Sequence, residues 1–353
     1  MKKIIALFLI AAVALTLFAC AENAENTGDD ASGDDASGEA ADSTTDETAS
    51  GNDEFEGTDI NIAVLSGPTG IGAVCLMEAN DAGETVNTYN FTVSSANDEV
   101  VAGLTSGEFD IAAVATNVAA NLYNKTDGGV QICALNTYGV LYILENGSEI
   151  ESVEDLRGKT IYATGQGANP EYVLDYILTE NGIDPENDVT IEFMDSSALA
   201  TAAAAGEADI CMLPVPAVTS VLMQNSNVRI ALDLTEEWDK VPTDGKLTMG
   251  CVVVRTEFAE ENPEAVAAFL EEYAASIESV LADTEHAAEL CEEYGIVAKA
   301  AVALSAIPDC NLCCVTGDEI KEIIEPYYTV LYNANSSSIG GALPDEDFYF
   351  VSK

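Results

Sequence analysis

Basic residues are scarce in this chain. Twelve Lys and Arg stand against 62 Asp and Glu among 353 residues, for a formal net charge of -50. Neutralising phosphates takes Lys and Arg, so nucleic acid is excluded as a partner. A solvated acidic surface that keeps the protein soluble is explanation enough for the excess. Histidine is rarer still: His286 is alone, between Glu285 and Ala287 on an expected surface helix. A Ser–His–Asp triad would have to use it, and no nucleophile elbow accompanies it. No P-loop is present, and Gly165-Gln-Gly167 opens like a dinucleotide fingerprint but meets Pro170 where the third glycine belongs. With no acid–base or nucleophile set, no catalytic residue and no cofactor are assigned.

Cysteine, by contrast, is plentiful, with nine residues. Cys75, Cys133, Cys211 and Cys251 sit in apolar patterns and read as small buried hydrophobes. Cys310-Asn-Leu-Cys313-Cys314 has the Cys-x-x-Cys spacing, yet no second Cys or His cluster completes a tetrahedral site, and no metal is assigned. Packing or an incidental disulfide remain open for it. So many thiols in an exported chain fit a reducing habitat better than an oxidising one.

The first twenty residues read as a targeting segment. Lys2 and Lys3 precede an uncharged apolar run, Ile4 to Ala19, which is short against the ~20 residues of a membrane span. It ends in Leu17-Phe18-Ala19-Cys20, which resembles the lipobox of bacterial lipoproteins. That resemblance implies a signal peptide over 1–19, a diacylglyceryl group on Cys20 and anchorage to the cell membrane, facing the extracytoplasmic side. A plain secretory signal or a single membrane anchor is the alternative. Residues 20–56 then carry Ala, Ser, Thr, Gly, Asn, Asp and Glu, with Asp-Asp-Ala-Ser-Gly twice between Asp29 and Gly38. Such a tract buries nothing and repels itself, and reads as a disordered acidic tether.

From residue 57 the composition is globular and long enough for two lobes. Apolar strands are expected at Ile60–Leu65, Ile111–Ala115, Val130–Leu135, Thr160–Ala163, Val189–Met194, Ile210–Leu213, Val228–Leu232 and Cys251–Val254. Helical patterns fall between them, near Gly70–Ala79, Asp98–Ser106, Val118–Tyr123, Glu171–Asn181, Ser197–Ala205 and Ala217–Gln224. Alternation of this kind defines an α/β chain with parallel or mixed sheet. After Arg255 the pattern turns helical: Asn262-Pro263-Glu264 starts one long helix, and Thr316-Gly-Asp-Glu319 is similar to a capping box opening the last.

Several strand-to-helix loops are rich in small polar residues. Ser66, Gly67, Thr69 and Gly70 follow the first strand, Asn97 stands at a helix start, and Asn117 follows another strand. Thr164, Gly165, Gln166 and Gly167 precede a helix for which Asn169 is a natural cap and Pro170 a natural first residue, while Pro214 and Val215 follow a further strand. Hydroxyls and backbone N–H groups gathered at helix starts can grip a small polar molecule without full charges. For the 164–170 turn an ordinary strand–turn–helix connection is an equal reading.

The order of motifs narrows this further. Ser-Gly-Pro-Thr-Gly (66–70), Leu-Thr-Ser-Gly-Glu-Phe-Asp-Ile (104–111), Val-Glu-Asp-Leu-Arg-Gly-Lys (153–159), Pro-Glu-Tyr-Val-Leu (170–174), Ala-Gly-Glu-Ala-Asp (205–209) and Asn-Pro-Glu-Ala-Val (262–266) follow one another. This succession resembles ABC-transporter substrate-binding lipoproteins of the taurine, nitrate, sulfonate and thiamine-precursor type. The resemblance implies the type 2 periplasmic-binding fold, with each lobe a mixed, mostly parallel sheet flanked by helices. Lobe 1 would comprise 57–145 and 249–353 and lobe 2 would comprise 146–248, with a two-strand hinge near Leu144–Asn146 and Thr248–Cys251. It also implies a monomer that delivers a small ligand to permease and ATPase subunits. Leu-Pro-Val-Pro (213–216) replaces the Leu-Pro-Glu-Pro frequent among relatives and removes a carboxylate from the expected cleft. A neutral or weakly charged organic molecule is expected first as ligand, an organosulfonate second. Tyr89, Tyr138, Tyr172 and Trp238 are the candidates for stacking a flat ring. The rivals are an enzyme on the same fold, of menaquinone or thiamine-pyrimidine synthesis, and a sensory lipoprotein.

Overall fold

Alternation of apolar and polar side chains builds the first strand and sets the pattern for the rest. In Asp59–Leu65 (β1), Ile60, Ile62 and Val64 bury on one face while Ala63 buries on the other. The computed structural model describes residues 55–243 and 245–351, which lie in one compact unit, Glu54–Lys353. The signal segment, Cys20 and the tether up to residue 54 lie outside the described residues.

Ten further strands follow: Thr88–Ser94 (β2), Ile111–Ala115 (β3), Val130–Tyr138 (β4), Leu141–Asn146 (β5), Thr160–Ala163 (β6), Thr190–Phe193 (β7), Ile210–Pro214 (β8), Val228–Asp233 (β9), Thr248–Arg255 (β10) and Leu312–Val315 (β11). They form two sheets, in the orders β11-β4-β10-β3-β1-β2 and β7-β6-β8-β5-β9. In the first, β1 runs parallel to β2 and β3, while β10 is antiparallel to β3 and β4. In the second, β6 runs parallel to β7 and β8, and β5 is antiparallel to β8 and β9. Helices cover both faces, so central strands such as β3 are buried along nearly their whole length.

The chain passes between the sheets earlier than the sequence suggests. Leu144–Asn146, the expected first crossing, lies inside β5, which pairs with β8 and β9 of the second sheet. The passage is instead the short link from Tyr138 to Leu141. Gly139 is required there, because a Cβ would stand 2.1 Å from the Thr235 hydroxyl. The return also precedes the expected Thr248–Cys251, since Thr248 already pairs with Tyr138 in the first sheet.

Three strands were not expected: β2, β5 and β11. β5 carries almost no polar alternation because both its faces are buried, and β11 holds the Cys313-Cys314 pair. The single helix expected at Gly70–Ala79 is two, Pro68–Ile71 and Val74–Ala82. The last long helix, Glu319–Asn335, starts after Asp318 with no side-chain cap, so Thr316 does not close a capping box.

Both apolar clusters run through both sheets. One joins Ile62, Val64 and Val252 to Leu213 and Val215, and the other joins Leu135 and Val253 to Leu141 and Met212. Away from the links, Asn335 Nδ2 donates to the Tyr172 hydroxyl (3.1 Å), which ties helix Glu319–Asn335 to helix Asn169–Glu180.

Candidate functional site

A buried asparagine fixes the first wall of the site. Asn136, on β4, is 1% exposed and its Nδ2 donates to the Thr69 carbonyl (3.1 Å) and the Tyr273 hydroxyl (3.0 Å). Its Oδ1 accepts from the Thr137 hydroxyl (3.1 Å). The loop after β1 is thus held against the sheet from below. It is held from the side as well, since Gly67 N–H donates to the Ile296 carbonyl (3.0 Å) and Ser66 N–H to that of Ser94 (2.8 Å). Gly70 belongs to this fit, because a Cβ there would stand 2.2 Å from the Leu65 carbonyl oxygen.

The second wall comes from the other sheet. Val215 N–H donates to the Val140 carbonyl (3.0 Å), which seats Pro214–Ala217 beside the link between the sheets. Asp195 caps helix Ser196–Ala205, with its Oδ1 accepting from the amides of Ser197 (2.9 Å) and Ala198 (3.2 Å) and from the Ser197 hydroxyl (2.6 Å). The Ser197 hydroxyl and these amides hold its carboxyl below the usual carboxylate range.

Between the walls lies a cleft of about 1200 Å³. Ser66, Thr69, Ser95, Thr137 and Lys299 face it from the first sheet's side, and Asp195, Ser196, Ser197, Ser220 and Gln224 from the second's. Val140, Met249 and Ile296 opposite Val215, Met223 and Pro216 supply its apolar part. A large apolar concavity with a few convergent polar groups, beyond the carboxyl ends of parallel strands, is where α/β folds bind small molecules.

Of the residues expected to bind ligand, Ser66, Gly67, Thr69, Pro214 and Val215 line this cleft. Gly70 is buried behind it. Asn97 opens helix Asn97–Ser106 and Asn117 is buried in helix Thr116–Lys125; neither lines the cleft. Tyr138 ends β4 under the Lys246 ammonium, 4.9 Å from its ring centre, while its neighbours Thr137 and Val140 do line it.

The Thr164, Gly165, Gln166 and Gly167 turn is not part of the lining. One of its donors is already engaged: Gly167 N–H donates to the Glu171 carboxylate one turn into the helix. Asn169, expected as the cap, instead donates Nδ2 to the Thr116 hydroxyl across the two sheets (3.0 Å), and the helix makes no side-chain cap. The Thr116 hydroxyl in turn donates to the Thr248 carbonyl (2.8 Å). The helix start therefore latches the two halves together.

The aromatic candidates are structural. Trp238 is 0% exposed and donates Nε1 to the Gly245 carbonyl (2.8 Å); Tyr89 and Tyr172 are buried too. Arg157 pairs with Asp188, and Arg255 with Asp110 (3.1 Å) and Glu257 (3.0 Å), away from the lining. Sequence reasoning missed Asp195 and the wall segment Gly295–Val302 with Lys299. The capping pattern Asp195-Ser-Ser was visible, but nothing local shows that residues near 296 return to the loop at 67. The described cysteines are free thiols; Cys310 is buried, its Sγ donating to the Ala306 carbonyl (3.2 Å). Cys313 and Cys314, adjacent on β11, pack into opposite clusters.

Two sheets, joined by the short Tyr138–Leu141 link and a longer return from Asp233 to Thr248 and facing each other across a lined cleft, define the two-lobed architecture of periplasmic binding proteins. Residues 130–287 match the family model described as NMT1/THI5 like. An ABC transporter structure from Parabacteroides distasonis matches at 23% identity and TM-score 0.70, over 83% of this chain and 99% of that one. The periplasmic aliphatic sulphonate binding protein SsuA from Escherichia coli matches at 15% identity and TM-score 0.67, over 84% and 92%. The ligand binding component of an ABC-type import system from Staphylococcus aureus matches at 12% and TM-score 0.64, over 84% and 97%. A search of curated protein sequences finds no match. The family resemblance read from the motifs, and the fold it implied, are borne out.

Proposed function

We propose that this chain is the solute-binding component of an ABC importer. It captures a small organic molecule, of the heterocycle or organosulfonate class, and presents it to permease and ATPase subunits. Lipid on Cys20 holds it as a monomer on the outer side of the cell membrane. The observation that carries this reading is the cleft of about 1200 Å³ lined from both sheets at their strand ends. Solved structures of the same fold, described as an ABC transporter and as binding components of such systems, support it.

Ser66, Thr69 and Ser95 on one wall and Asp195, Ser197 and Gln224 on the other supply hydrogen bonds that only a molecule between the walls engages together. Movement about the 138–141 link and its return strand would bury that molecule from two sides. A micromolar ligand supplies about 8 kcal/mol, enough to bias two states that differ by a few kcal/mol.

A thermal-shift screen of sulfonates, pyrimidines, flavins and nitrogen heterocycles tests the reading. At a hundredfold excess over Kd, a ligand adds about 2.7 kcal/mol of stability. A binder that is also turned over would instead favour an enzyme. For the anchor, Cys20→Ala should move the protein from the membrane to the soluble fraction, and retention on membranes would remove lipid from the account.

A further inference from the structure

Where the two halves meet at Asn169, the bonding is incomplete. The hydroxyl of Thr116, the first residue of helix Thr116–Lys125, donates its proton to the Thr248 carbonyl (2.8 Å), so its oxygen can only accept. Asn169 must therefore present Nδ2 to it (3.0 Å), which turns Oδ1 the other way. Asn169 is 2% exposed, and among the described residues its Oδ1 finds no partner.

Tyr327 repeats the pattern in the same seam. The Tyr328 hydroxyl donates to the Thr116 carbonyl (2.9 Å), which fixes helix Glu319–Asn335 against Thr116. The adjoining Tyr327 reaches the other half and packs on Trp238, with ring centres 5.6 Å apart. Trp238 ends helix Leu234–Trp238, which lies against β5, β9 and helix Asn169–Glu180. The Tyr327 hydroxyl is buried and also lacks a partner among the described residues.

A permanent core leaves few such atoms, and each one calls for a reason. While the halves are together, Asn169 Oδ1 and the Tyr327 hydroxyl forgo hydrogen bonds; once the halves part, water supplies them. The bonds from Asn169 to Thr116 and from Asn335 to Tyr172 pull the other way. Attraction and penalty of the same order thus oppose each other at one seam, which leaves the contact breakable.

We infer that Asn169 is a positioning residue for lobe closure. Its amide hooks the Thr116 hydroxyl to hold the halves together, and its unpaired oxygen keeps that hold light enough to release. This rests on the two-lobed solute-binding reading and adds the contact that sets the resting balance between open and closed.

Trp238 is the chain's one tryptophan and stands in the seam, so its fluorescence reads the opening. The test is acrylamide quenching of that fluorescence in the full chain, with no solute added and with folding checked by circular dichroism. Asn169→Leu removes the unpaired oxygen and substitutes an apolar side chain that opening would expose, so the quenching constant should fall to about half. Thr116→Val strands Asn169 Nδ2 as well, and quenching should rise about threefold. Thr116→Ser, which keeps the hydroxyl, should match wild type. A residue that only supported the fold would respond to Leu and to Val in the same direction. Quenching that rises or stays unchanged in Asn169→Leu overturns the inference, and so does quenching that falls or stays unchanged in Thr116→Val. Should one variant not fold, the other decides by the same criterion. The two levels fail separately. A binder found in the thermal-shift screen, with the opposite responses missing, sinks the latch and leaves solute binding standing. Opposite responses with no binder in the screen do the reverse.

Discussion

The cleft between the sheets and the groove between helices Asn169–Glu180 and Glu319–Asn335 make a natural pair. Both span the two halves of the molecule, and they are of similar size, about 1200 and 880 Å³. Their chemistry differs. The groove has the carboxylates that a chain this acidic places on uncommitted surface, and one of them is held against its preference. Burial first, then the nearby Glu171 and Glu186, push the Asp175 carboxyl from 3.8 up to about 6. The cleft has hydroxyls, small apolar residues and balanced charge on loops pinned by buried hydrogen bonds. Concavity alone therefore does not mark the site; departure from the chain's composition, on a rigid mount, does.

Filling each concavity in turn puts the comparison at greatest risk. Ala200→Trp in the cleft should weaken a ligand found by the screen at least a hundredfold, about 2.7 kcal/mol. Thr179→Trp in the groove should leave Kd within about twofold by calorimetric titration. The reverse pattern would assign the site to the groove. The mount comes next. Asn136→Ala strands the Thr69 carbonyl and the Tyr273 hydroxyl, so urea unfolding should show a loss of about 2–3 kcal/mol. Ligand affinity should fall with it, as the Ser66–Thr69 loop loses its tie to the sheet.

Titration sharpens the other side. Folded Asp175 holds its proton more tightly than the unfolded chain does, so the folded state loses stability as pH rises from about 4 to about 6. Asp175→Asn should accordingly stabilise the protein at pH 7 by about 1 kcal/mol, allowing for solvent screening at a partly exposed group, and make no difference near pH 4. Equal effects at both pH values would rule out the groove's strain. The smallest effect belongs to His286, raised above 6.5 by its bond to Glu78 (2.8 Å). Its contribution is fully present below the unfolded pKa of about 6.5 and is lost as pH rises through the folded value. With the two side chains 44% and 47% exposed, His286→Gln should cost only a few tenths of a kcal/mol at pH 5 and less at pH 8.

Local pattern settled what depends on neighbours in sequence. A short unbroken apolar run identified Ile111–Ala115 to the residue, and a helical apolar pattern identified Ala217–Gln224 likewise. The order of loops and the small residues of Ser66–Thr69 and Pro214–Val215 pointed to two walls of a cleft. Where contacts at long range compete, sequence was silent or misleading. β5 reads as a continuation of lobe 1 because nothing within Leu141–Asn146 says which sheet its edges will meet. Gly165–Gly167 has the composition of a ligand loop, yet its Gly167 N–H is taken by Glu171 and the neighbouring Asn169 side chain by Thr116.

Composition and periodicity by themselves determined the α/β class and the shortage of Lys and Arg that sets the chain against nucleic acid, since both follow from residue type and spacing, while the two-sheet plan came from the motif order through the family it resembles. Only the tertiary structure decided which loops face the cleft, because Gly295–Val302 meets Ser66–Thr69 through a backbone bond between residues 229 positions apart, Gly67 and Ile296. Hydrogen bonds and burial are assigned by what the folded chain brings together, and a side chain's neighbours in space are not written beside it in the sequence.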